Sequence, residues 1–485
     1  MMTMHTDDNP CALSALVARR LIGLKQLSPV ELLDACIARI EAVNPRLNAF
    51  VATCFDRARD EAKVAEAQMM RGTTLAPLHG LPIGIKDLSH TEGLVTTYGS
   101  TLYADHIPAK DELVVARVRA AGAIVLGKTN TPEFGAGGNT VNRVYGATVN
   151  PFNTDLTCGG SSGGSAVALA ADMVPLCTGS DTGGSLRTPS SFCGTSTIRT
   201  TPGTVPSDRR AIGLTTYNVQ GPMARDMGDV ALLLSCMAGV DVSDPLSFPV
   251  DTAGMATVAD VDLAGLRVAF SEDLGFAPVA NIIRETFKER VNLMRDAFGH
   301  GEWRDPPLAN GDRVFWLLRG QHYLASHLPR FLEHGDKLGP NVRTNVEAAL
   351  AMKPEEFAWA AVEQTRMYRE CQHYFADIDI LICPTASVPP FPVDQLFCEE
   401  IDGVTLDHYI QWANIVSGIT LIGHPVAQIP CGYGPTGTPF GIQVIGARRH
   451  DDARVLAIAS ALERLFATSD DLARPRPDIA ALTAW

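Results

Sequence analysis

Apolar positions recur along the chain with two periods, and the stretches that carry them alternate. After Ser28-Pro29-Val30-Glu31, residues Leu33, Ile37 and Ile40 fall on one face of a 3.6-residue period. A serine with glutamate three positions on is a capping box, and proline suits the first helical position. A helix is therefore predicted to open there and to end near Asn44-Pro45. Residues 55–71 carry a second, more charged helical pattern. Residues 81–86 read as a short strand, 111–121 as a helix stopped by Gly122, and 123–126 as another strand. Further short apolar runs at 266–270, 379–383, 426–429 and 441–445 are strand candidates, with helices predicted at 281–298 and 451–465. Strands alternating with helices predict an α/β fold: a single large domain whose central mixed, mainly parallel sheet is covered by helices on both faces. Residues 302–374 are helix-rich and aromatic, an insertion predicted to border the sheet.

Composition narrows the class. The chain has 485 residues, 46% of them hydrophobic and 19% charged, which supplies an ample core for a globular protein. A net charge of −14 without basic runs argues against a nucleic-acid surface. No stretch approaches the ~18 consecutive apolar residues of a membrane span. The first residues, MMTMHTDDNPCALS, place acids and a proline where a secretory signal has a basic flank and an apolar run. Eleven scattered cysteines without a C-x-x-C pair predict reduced thiols in a cytoplasmic protein. The twelve histidines never form H-E-x-x-H, so neither metal nor cofactor is expected.

Two turns dense in glycine and serine concentrate the chemistry. They are Gly159-Gly160-Ser161-Ser162-Gly163-Gly164-Ser165 and Asp181-Thr182-Gly183-Gly184-Ser185, with 166–171 between them small and apolar enough for a short buried helix. Glycine lets a backbone approach a ligand closely, and successive N–H groups in such loops form an anion site. With the Asp-Thr-Gly-Gly-Ser-Leu-Arg run that follows, residues 159–189 resemble the signature of the amidase signature family, serine hydrolases that cleave carboxamides. Upstream, Gly80-Leu81-Pro82-Ile83-Gly84-Ile85-Lys86-Asp87 resembles the family's lysine motif, in the expected order and spacing.

The resemblance spans nearly the whole chain, weakest at 240–375. It implies one domain over 1–485, with N-terminal helices at 1–75 and the catalytic motifs at 76–235. A helical insertion bordering the substrate pocket follows at 240–375, then C-terminal strands and a helix at 376–485. It implies that Ser185 is the nucleophile, Lys86 the base, and Ser161, preceded by a cis peptide, the proton relay between them. A lysine in a partly dry site has a lowered pKa and offers a neutral amine. Ser162, Asp181 and Arg187 are expected to support the loops. The backbone amides of Thr182, Gly183, Gly184 and Ser185 are expected to face an oxyanion, and Gly135, in Asn130-Thr131-Pro132-Glu133-Phe134-Gly135, to lie on the amide-binding side of the cleft. The implied reaction is hydrolysis of a small aryl or alkyl amide, with a homodimer as a possible assembly.

This sequence departs from the family where Cys193-Gly194-Thr195-Ser196-Thr197-Ile198-Arg199-Thr200 replaces a more apolar, glycine-containing run, which puts local packing in question. Three other readings compete. Residues 159–163 also fit the G-x-S-x-G elbow of α/β-hydrolase esterases, which would make Ser161 the nucleophile and call on Asp379 and His424. The glycine loops lack the G-K-[ST] of a nucleotide cradle. Within the family, the rival is the glutaminase subunit of a tRNA-dependent amidotransferase, whose characteristic C-terminal region with tyrosine and arginine is not evident here.

Overall fold

The computed structural model describes residues 9–483. The reading of the extreme N-terminus therefore lies partly outside the described residues. Eleven strands form one sheet. They run in the order Phe50–Thr53, Ile124–Thr129, Pro82–Lys86, Leu176–Asp181, Val219–Ala224, Ser196–Arg199, Val426–Tyr433, Pro439–Gly446, Ile380–Pro384, Arg267–Phe270, His300–Trp303.

The sheet is mixed, as expected, but its parallel share is smaller than the alternation of elements predicts. Parallel pairs occur near its two flanks, and the centre from Leu176–Asp181 to Ile380–Pro384 is antiparallel. The links explain this. Val426–Tyr433 and Pro439–Gly446 are joined by a tight turn, and no helix separates Ser196–Arg199 from Val219–Ala224. Antiparallel neighbours need only such short links, whereas parallel ones need a crossover.

Helices cover both faces. In the Pro439–Gly446 strand, a Cβ on Gly441 would lie 2.6 Å from Ser191 Oγ, and one on Gly446 would lie 2.6 Å from Val455 Cγ2. An odd separation in a strand puts two residues on opposite faces, so Arg187–Cys193 and Asp452–Phe466 sandwich the sheet here.

The capping box at Ser28 forms, and its helix runs over Pro29–Leu47, two residues beyond the predicted stop at Pro45. Proline in the last turn is tolerated because Asn48, left-handed at φ 53°, closes the helix, while Asn44 Oδ1 accepts from the amides of Ala49 and Phe50. The Phe55–Arg71 helix has the predicted bounds. Strands at Leu176–Asp181, Ser196–Arg199 and Val219–Ala224 carry no strong apolar pattern. Pro222 in the last of these would ordinarily argue against a central strand. It has no N–H to give the ladder, and its carbonyl accepts from Thr197 Oγ1 at 2.7 Å.

Residues 302–374 begin in a strand and continue as three long helices, Gly311–His334, Pro340–Ala351 and Pro354–Tyr374. Among the described residues no helix is long and apolar enough to cross a membrane, and all eleven cysteines are free thiols.

Candidate active site

Lys86 closes the Pro82–Lys86 strand and Asp181 closes Leu176–Asp181. These strands are parallel neighbours, with Ile83 opposite Leu176 and Gly84 opposite Cys177, so both residues stand at the same end of the sheet. The space left by Gly84 is filled by the side chains of Cys177, Thr129 and Phe50. The Gly163–Ala170 helix packs on the same strands, and its start brings Ser161 and Ser162 over the lysine.

Lys86 is 1% exposed and forms no ion pair among the described residues. Its Nζ lies 2.7 Å from Ser161 Oγ, 2.8 Å from Ser162 Oγ and 3.0 Å from Ser180 Oγ. Burial pushes its pKa down to about 7, against the opposing pull of the Asp181 carboxylate. The partners assign part of the proton arrangement. Ser162 Oγ donates to Ser180 O at 3.3 Å, so it must accept from the lysine. A neutral amine has two N–H bonds. With three hydroxyls in reach, a charged Nζ donates to Ser161, Ser162 and Ser180, whereas the neutral amine keeps a lone pair that Ser161 or Ser180 can meet with its own proton. Ser180 was not singled out by sequence reasoning; its only signal is its position one residue before Asp181.

A second buried lysine, Lys128, also escaped the sequence reading. It differs in having a carboxylate partner, Asp87, at 3.9 Å, with Thr91 Oγ1 at 3.0 Å and a hydrogen bond to Ser89 O. Its pKa is lowered by burial only to about 8. The partner and the carbonyl hold its proton, so Lys86 gives up its proton more readily.

The two glycine loops meet. Ser162 N donates to Ser185 O at 3.1 Å, and the Gly160–Ser161 peptide is cis. Ser185 is partly exposed in a pocket of ≈ 140 Å³, and its hydroxyl bonds to no described residue. Lys86 and Ser161 are thus joined by a hydrogen bond, whereas the Ser185 hydroxyl faces the pocket without one to any described residue. The amides of Thr182, Gly183 and Ser185 also carry no hydrogen bond. That of Gly184 is already given to Asp181 Oδ1 at 2.9 Å, which removes it from the expected oxyanion donors. Gly184 is required for another reason: its φ is +114°, and a Cβ there would lie 2.4 Å from Val416 Cγ2. Gly135 lines the pocket at φ +73°, where a Cβ would come 3.3 Å from Ser161 Oγ.

Asp181 and Arg187 brace the 181–187 loop. Asp181 accepts from Gly184 N, from Leu186 N at 3.2 Å, and from Arg187 Nε at 3.1 Å and Nη2 at 3.0 Å. Burial would raise its pKa, but Arg187 and Arg199 outweigh it and hold the carboxylate well below its usual range. Arg199, from the divergent 193–200 run, reaches Asp181 Oδ1 at 3.1 Å. Asp181→Asn leaves two buried guanidinium groups without a counter-charge and should cost about 3–5 kcal/mol of stability, read from urea unfolding. A loss under about 1 kcal/mol would show that the loop is held by other means.

The esterase alternative is not assembled. His424 bonds to Gly446 O at 2.7 Å and to Gln372 at 2.9 Å, and Asp379 is paired with Arg267 at 3.0 Å and Arg454 at 2.9 Å. Neither bonds to the other or to Ser161. His424 is buried, and burial lowers its pKa to about 4.

The amidase family model matches residues 31–456. The chain belongs to the amidase family. Among its relatives, an acylamidase of Rhodococcus erythropolis is 34% identical, covering 96% of this chain and 98% of the relative. A glutamyl-tRNA(Gln) amidotransferase subunit of Chloroflexus aurantiacus is 32% identical over the same shares of the two chains. A solved bacterial aryl acylamidase of the amidase signature enzymes superposes with a TM-score of 0.86 at 27% identity, covering 93% of this chain and 96% of that one. This amidase-family chain is therefore a hydrolase of amide C–N bonds.

Proposed function

We propose that this amidase-family chain hydrolyses a small carboxamide to a carboxylate and ammonia or an amine, through an acyl-enzyme on Ser185. The observation that carries the reading is a fully buried lysine, ion-paired to no carboxylate, with its Nζ 2.7 Å from the hydroxyl of a serine whose loop is hydrogen-bonded to that of Ser185.

Ser185 Oγ attacks the carbonyl carbon. Its proton passes to Ser161, whose own proton goes to Lys86. The π pair of the carbonyl moves onto oxygen, where the free amides of Thr182, Gly183 and Ser185 are placed to receive it. Collapse breaks the C–N bond, and the departing amine takes back a proton by way of Ser161. Water then cleaves the acyl-enzyme by the same relay. Free thiols throughout the chain suit a reducing cytoplasm.

The pH profile tests the reading. The base works only when unprotonated, so kcat/KM should rise with pH through about 7, the value burial gives Lys86, and fall about tenfold per unit well below it. Hydrolysis of a neutral anilide, whose own charge is constant over this range, is the measurement. A flat profile between about pH 5 and 8 would rule out a neutral lysine base. Similarity to an amidotransferase component favours a second reading, in which the chain works as a glutaminase within a complex. Ammonia release from glutamine by the purified chain distinguishes it.

A further inference from the structure

The pocket in front of Ser185 is lined on one side by the Gly311–His334 helix, which presents Arg319, His322, Tyr323, Ser326 and His327 at helical spacing. Arg319 is 8% exposed and has no carboxylate within ion-pair distance among the described residues. Tyr323 OH at 2.8 Å and Tyr409 OH accept from its Nη2, and Asn345 Oδ1 at 3.3 Å accepts from Nε. Its guanidinium lies over the Tyr323 and Tyr409 rings, at 4.6 and 5.6 Å. Nη1 has no partner among the described residues.

A buried guanidinium cannot shed its charge and ordinarily has a counter-ion. Here the fixed partners are neutral. The two lining histidines add no further positive charge, since burial keeps both neutral at pH 7, with pKa values of about 4 for His322 and 3 for His327. Among the described residues, no aspartate or glutamate lines the pocket. The space that holds the reacting amide thus contains one permanent positive charge and nothing to balance it.

We infer that the substrate is an amide bearing a carboxylate, and that Arg319 Nη1 binds that carboxylate while Ser185 attacks the amide carbonyl. The inference rests on the reaction proposed above and names its substrate class. Because the pocket offers no acid, it also excludes a second, cationic group: a monoamide of a simple dicarboxylic acid fits better than glutamine, whose α-ammonium would face Arg319's charge unpaired. A carboxylate on the amine side, as in an N-acyl amino acid, satisfies the same guanidinium.

The test uses the full-length protein and matched substrates. Succinamate, glutaramate and adipamate are compared with butyramide, valeramide and hexanamide, and N-acetylglycine with N-propylacetamide. Glutamine is compared with glutaramate. Charge-assisted hydrogen bonds set the scale: the best carboxylate member should exceed its neutral partner roughly ten- to a hundredfold in kcat/KM, and glutaramate should exceed glutamine. Arg319→Gln should erase that advantage, read as the ratio of kcat/KM between the charged and neutral member of each pair, and Arg319→Lys should restore part of it. Because the wild-type comparison needs no variant, a poorly folded mutant does not blunt the test. Equal rates across the wild-type pairs, or a variant that lowers both arms alike, would overturn the inference while leaving the hydrolytic reading standing. If no amide of either kind is turned over, both fail.

Discussion

Ser185→Ala should reduce amide turnover on the order of 10^4- to 10^6-fold and abolish covalent labelling by acylating reagents, with unchanged unfolding temperature. Ser185 touches no other side chain by hydrogen bond and is partly exposed, so removing one oxygen leaves no buried group unpaired. The residual rate would come from the free amides at 182, 183 and 185 acting on water. Intact-protein mass spectrometry during turnover provides the second readout: the wild type should carry an acyl adduct and the variant none. If Ser161→Ala were equally inactive but still acylated at Ser185, the relay assignment would gain. Retention of an adduct in Ser185→Ala would instead move the nucleophile to Ser161, and the elbow reading would return despite the engaged His424.

Lys86→Met should be nearly as damaging, about 10^3- to 10^4-fold in kcat, because a base and its nucleophile act as one unit. Methionine keeps the stem's volume, and removing a charge that burial already disfavours should cost little stability. The three hydroxyls of Ser161, Ser162 and Ser180 lose a shared partner. The informative comparison is the double variant. If Lys86 acts only by taking the Ser185 proton, Ser185→Ala with Lys86→Met should be no slower than Ser185→Ala alone. The pH dependence near 7 should also vanish from the residual rate of Lys86→Met. A variant that keeps the wild-type profile would show that another group supplies the base.

Much of the fold was legible because its flanking units obey local rules. The Ser28 cap, the 55–71 helix, the buried strand at 82–86 and the first half of Ile124–Thr129, expected at 123–126, follow from capping chemistry and short apolar runs. The central antiparallel strands were not. Leu176–Asp181 and Val219–Ala224 hold glycine, serine and proline, and their pairing depends on neighbours distant in sequence, such as Asp181 opposite Val219. The two glycine-serine loops stood out because glycines needed for close approach cluster visibly. Arg319 did not, since it lies on a helix whose pattern reads as ordinary packing.

The sequence by itself therefore determined the α/β class, the two glycine-serine loops and the lysine at a strand end, because local spacing and backbone requirements are written in consecutive residues. Tertiary structure alone decided the rest. It buried Lys86 without an ion-pair partner, gave the Gly184 amide to Asp181, and set an arginine without a counter-ion in the pocket of Ser185. Burial and partnership belong to chain segments brought together from far apart, and they fix charge and reactivity only once the chain has folded.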